Sequence, residues 1–166
     1  MANVNSTWIG NAVASPKVFT DANQSVGTGR VAKSAATVSA TQASGDTIRL
    51  VRVPSNARID AVLLTTADAT TAGAINIGVW QTSENGGAVV DADLFASALA
   101  LTGGPFTRSD QTFESGEYTY AETCLPLWQV LGLTTDPKRD YDIVAQVSTT
   151  GDGMGTVMVL EVHYTT

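Results

Sequence analysis

The chain has 166 residues, enough for one domain with a real core. Charged residues make up 15 %, well under the roughly 25 % of an average soluble protein, and the net charge is −7. That balance excludes a phosphate-tracking nucleic-acid binder, which needs clustered Lys and Arg. No apolar run approaches the ~20 residues that span a bilayer, so no membrane partner is expected.

Residues 1–33 are rich in Asn, Ser, Ala, Thr and Gly, with isolated large apolar residues at Trp8, Ile9, Val18 and Phe19. They show neither helical nor strand periodicity and are read as an extended N-terminal arm, either laid on a neighbouring subunit or a disordered leader. The opening MANVNSTWIGNAV has no basic region followed by an apolar run, which predicts synthesis and use without export.

Residues 34–166 are expected to form a β-sandwich domain. Ser34 to Gln42 alternates weakly through Ala36, Val38 and Ala40, and Ser44-Gly45-Asp46 is a turn signal. Thr47 to Val53 alternates apolar residues with Arg49 and Arg52. With Arg58, these arginines form the only local basic group, read as a solvated strand face. Pro54-Ser55-Asn56 breaks the run. Arg58 to Thr66 is aliphatic on both faces, as a central strand would be. After a loop over 67–74, Ile75 to Gln81 is a further strand.

Asp91 reads as an N-cap, and Leu94, Ala98 and Leu101 recur at helical spacing, predicting a short helix to Leu101 ended by Gly103-Gly104-Pro105. Residues 106–123 read as a long loop or weak strands. Pro126 opens a second helical turn carrying Leu127, Trp128 and Leu131, with Gly132 in the left-handed position after it. Tyr141 to Thr149 and Thr156 to Tyr164 alternate strongly and predict a C-terminal hairpin through Gly151-Asp152-Gly153. The expected fold is all-β: an antiparallel two-sheet sandwich, jelly-roll-like, with two short helical insertions.

Chemistry is sparse. The single histidine, His163, has no serine or cysteine placed beside it by sequence, and reads as a surface strand residue. Cys124 is the only cysteine, which rules out an intramolecular disulfide. Asp91 and Asp93 fall short of the six to eight oxygens calcium takes. Glu114, Glu117 and Glu122 formally allow a glycosidase-like carboxylate pair, and Tyr118, Tyr120 and Trp128 could stack on a sugar. The expectation is no enzyme, no catalytic residue, no cofactor and no metal.

Four segments together resemble small virion proteins of tailed bacteriophages: SGDTIRLVRVPSNARIDAVLLTT (44–66), INIGVWQTSENGGAVVDADLFASALAL (75–101), LPLWQVLGLTTDPKRDYDIVAQV (125–147) and the closing GTVMVLEVHY. The resemblance implies a capsid cement (decoration) protein of jelly-roll type. It would be a homo-oligomer, dimer or trimer, seated on the outer surface of the head and holding major capsid protein subunits together. Trp8, Ile9, Val18 and Phe19 are the expected capsid or subunit interface. The alternative is a tail-associated or receptor-binding module that recognises host carbohydrate through residues 106–128.

Overall fold

The structure is a computed structural model of the chain, and it describes residues 27–38, 42–66, 73–102, 105–150 and 157–166. Eight strands are present among them: β1 (Gly29–Thr37), β2 (Thr47–Pro54), β3 (Arg58–Thr66), β4 (Ala74–Gln81), β5 (Val89–Ala100), β6 (Ser109–Asp110), β7 (Asp140–Thr149) and β8 (Val157–Thr165). They form two antiparallel four-stranded sheets, ordered β1-β8-β3-β6 and β2-β7-β4-β5. The pairs β4–β5, β3–β6, β2–β7 and β1–β8 are those of one long hairpin rolled up on itself. This is the double Greek-key order of an eight-stranded jelly roll. The expected all-β, two-sheet sandwich is the observed fold.

The core lies between the sheets and is built by the alternation seen in the sequence. Tyr141, Ile143, Ala145 and Val147 of β7 are essentially inaccessible, as are Met158, Leu160 and Val162 of β8. Each fully buried aliphatic side chain contributes about 1.5–3 kcal/mol. β3 and β4 add Ile59, Val62, Leu64, Ile75, Ile77 and Val79 to the same cluster.

Three local expectations are corrected. The strand expected from Ser34 starts at Gly29, so residues 29–33 belong to the sheet, paired with β8 in unbroken register. The predicted C-terminal hairpin is not one: β7 pairs with β2 and β4, β8 with β1 and β3. Both apolar series belong to the one core cluster between the sheets.

The helix predicted from Asp91 to Leu101 is the strand β5. Its register against β4 shifts between Ile75 and Ile77, between Ile77 and Val79, and between Val79 and Trp80, so β5 carries extra, bulged residues. Bulging destroys the period of two. Leu94, Phe95 and Ala96 are buried in succession while Ser97 and Ala98 are exposed, so the helical spacing of Leu94, Ala98 and Leu101 corresponds to no shared face. Ala98 takes up the distortion with a φ of 49°. Gly78 permits the close crossing, because a Cβ there would fall on the backbone of Asp91 and Ala92.

The second helical turn is present as α1 (Leu127–Val130). Pro126 is its N-cap rather than its first residue, and the Pro126 carbonyl accepts from the Gln129 N–H at 2.9 Å. Gly132 has the expected left-handed φ of 73°. Leu127 is buried, and the Leu127 and Trp128 amides donate to Ala57 and Ser55 in the β2–β3 turn. Two further 3-10 turns lie at Ser83–Asn85 and Glu122–Cys124. Among the described residues no helix is long and apolar enough to cross a membrane.

Candidate functional site

Among the described residues, three polar groups stand out on the outer faces and edges of the sandwich. On the second sheet, Asp142 interrupts the apolar run of β7 and is buried. Arg49 Nη1 donates to Asp142 Oδ2 at 2.9 Å, and Arg52 Nε donates to Oδ1 at 2.8 Å. Arg49 also donates to the carbonyls of Gln81 and Gly87, at 2.8 and 2.9 Å, which ties β2 to the turn after β4. Arg52 reaches Glu84 as well, and the two carboxylates hold its guanidinium pKa above its ordinary value, Asp142 most strongly. Around this clamp lies a shallow depression bounded by Leu50, Val51 and Ser83. The arginines expected on a free solvated face are therefore half engaged in an ion-pair network, and Arg58 is buried. The desolvated carboxylate needed paired charges, which overrode simple exposure.

On the first sheet, Glu161 interrupts β8 in the same way. Its carboxylate lies 2.7 Å from His163 Nε2, 2.8 Å from Arg108 Nη2 and 3.2 Å from Lys33 Nζ. These partners hold the Glu161 carboxyl below its ordinary pKa, the His163 hydrogen bond first and Lys33 next. Arg108 has a φ of 49°, and its backbone N–H donates to Thr65 Oγ1 at 3.0 Å. His163 is thus half-buried in a clamp rather than a bare surface residue.

The third group lies at the β5 edge. The loop after β6 zips along β5: the Ser115 N–H donates to the Phe95 carbonyl at 3.1 Å, and the Tyr118 N–H to the Leu94 carbonyl at 3.2 Å. Tyr118, raised as a sugar-stacking candidate, is buried, and its hydroxyl donates to the Ile59 carbonyl at 2.8 Å. Burial pushes its phenol pKa up. Phe95 meets Tyr118 edge-on at 5.2 Å, and Phe113 lies 4.5 Å from Tyr120, a residue 79 % exposed.

Of the three glutamates considered for catalysis, Glu114 accepts from the Ser97 N–H at 2.8 Å and Glu122 from the Thr119 N–H at 2.6 Å. Glu117 instead comes within 4.8 Å of Asp91 and Asp93. Repulsion from Asp91, then Asp93, raises its pKa. Asp91 caps no helix; its Oδ1 accepts from the Asp93 N–H at 3.3 Å.

Trp8, Ile9, Val18 and Phe19, like the 151–153 turn, lie outside the described residues. Sequence reading missed both clamps. Their one local signal was a lone acid inside an apolar strand, Asp142 between Tyr141 and Ile143 and Glu161 between Leu160 and Val162.

No protein-family model matches the chain, and no curated protein matches it. A solved structure titled the capsid asymmetric unit of cyanophage Pam1 aligns with it at a TM-score of 0.49 and 16 % identity, over 83 % of this chain and 85 % of that one.

Proposed function

We propose that this chain is a non-enzymatic structural protein of a tailed-phage virion, a cement protein on the outer surface of the head. The observation that carries the reading is where the phage-like sequence blocks fall. They cover β2 with β3, β4 with β5, α1 with β7, and β8, so the resemblance follows the jelly-roll framework itself. Jelly rolls serve viral capsid and lectin domains, and fold alone does not choose between them. The groups considered for catalysis favour the structural reading: Glu114 holds an amide of β5, Glu122 holds a loop amide, and His163 belongs to the Glu161 clamp.

The mechanism is cohesive. Apolar area buried across two capsomers contributes about 25 cal/mol per Å² before association costs. The gain repeats at every symmetric site, so small contacts add up over a shell. Major capsid protein is the expected partner, with self-association into a homo-oligomer.

Co-sedimentation of the purified protein with heads that lack it tests this reading. Saturable binding in the head fraction is expected; a protein left wholly in the supernatant overturns it. The exposed Tyr120 ring beside Phe113 favours the second reading, a host-carbohydrate module. Glycan binding that is lost in Tyr120→Ala, without head binding, would establish that instead.

A further inference from the structure

Seven large apolar residues are exposed among the described ones. Five of them, Val89, Val90, Tyr120, Leu125 and Leu133, lie on β5 or on the connection from β6 to β7. Exposed apolar side chains gathered on one surface mark contact sites, whereas scattered ones need no explanation. The two parts of this surface are joined. The Ser115 and Tyr118 amides donate to the Phe95 and Leu94 carbonyls of β5. The Glu117 carboxylate comes within 4.8 Å of those of Asp91 and Asp93, next to Val90. The Phe113 ring stacks on buried Tyr118 at 5.9 Å and meets Tyr120 at 4.5 Å, so exposed Tyr120 stands on a fixed aromatic base.

The charge on this surface has one sign. Residues 89–101 and 111–137 contain Asp and Glu but no Lys, Arg or His. The repulsion that raises the Glu117 pKa shows that its carboxylate group is short of counter-charge. A cation brought there relieves the repulsion, and an exposed aromatic face such as Tyr120 attracts the same group. The bulges of β5 leave no regular backbone edge, so a contact here runs through side chains.

We propose that this surface seats a segment of a partner protein that carries arginine or lysine among apolar side chains. A second copy does not supply such a segment among the described residues. Lys33, Arg49, Arg52 and Arg108 are bonded to carboxylates of their own chain, and Arg58 is buried. The other described cations, Arg30 on β1 and Lys138-Arg139 before β7, belong to different sheets. A neutral glycan would use Tyr120 and ignore the carboxylates. Under the cement reading, on which the identity of the partner rests, the segment belongs to the capsid protein.

Two variants of the full chain test the proposal. One is Tyr120→Ala. The other combines Asp91→Asn with Asp93→Asn, whose amide oxygens can still accept from the Asp93 N–H and the Ser97 hydroxyl. Circular dichroism melts check folding, and Glu117→Gln replaces the double variant if that one does not fold. In co-sedimentation, each variant should weaken head binding at least tenfold. Wild-type binding should weaken as much between about 0.01 M and about 1 M salt, where screening is nearly complete. Undiminished head binding by either folded variant overturns the proposal while the cement reading stands. If the wild-type protein ignores heads, the cement reading fails, and a fluorescent synthetic peptide of alternating arginine and leucine decides. Saturable binding that falls at least tenfold in both variants, and is absent when glutamate replaces arginine in the peptide, upholds the proposal. No binding, or equal binding by wild type and either variant, overturns it.

Discussion

Asp142 and Glu161 sit inside their sheets with cations from neighbouring elements around them, whereas Asp91, Asp93 and Glu117 converge at the β5 edge without an ion pair to any described residue. The same functional group thus has two uses. In mid-sheet the carboxylate is desolvated and acceptable only because it is paired, so it is part of the architecture. At the edge the carboxylates repel one another and water tolerates them.

The comparison can be broken from either side. Gly78→Ala has the largest expected effect, because the new Cβ collides with backbone where β5 crosses β4. A loss of about 4 kcal/mol in denaturant unfolding is predicted, of the size reserved for named steric faults. Asp142→Asn should follow, at about 2 kcal/mol, since it puts a neutral amide in place of a buried carboxylate paired with two partly exposed arginines. Tyr118→Phe removes the hydroxyl bond to the Ile59 carbonyl and loosens the loop that holds Glu117 beside Asp91. About 1–2 kcal/mol is expected from the same measurement.

The smallest effects carry opposite signs with pH. Glu161 has a lowered pKa, so its contribution is present above its ordinary value of 4.5 and is lost as pH falls through the folded value. Glu117 has a raised pKa, so its repulsion acts in full at neutral pH and is relieved on acidification. Thermal melts against pH should show Glu161→Gln flattening the acid loss of stability. Glu117→Gln should give a slight gain confined to neutral and higher pH.

Much of the sandwich was legible in the sequence because strands buried on one face alternate. Tyr141 to Val147 and Met158 to Val162 lie inward as read, and Gly132 ends its turn as read. β5 was misread because bulges broke the period of two, while Leu94, Ala98 and Leu101 fell at helical spacing without sharing a face. The β7–β8 hairpin was misread because sequence neighbours in a rolled-up hairpin often face each other across the core. The clamps were hidden by distance along the chain: Arg49 and Asp142 are 93 residues apart, Arg108 and Glu161 are 53. The acidic trio was half visible, since Asp91 and Asp93 were noted together, but Glu117 joins them only through the loop bonded to β5.

The central claim is that packing and surface contacts are the function of this chain. DNA release on heating, compared between heads with and without the protein, tests it most directly. Heads lacking it should release DNA at a lower temperature and regain the higher one when purified protein is added back. Identical release temperatures with and without bound protein would contradict the claim.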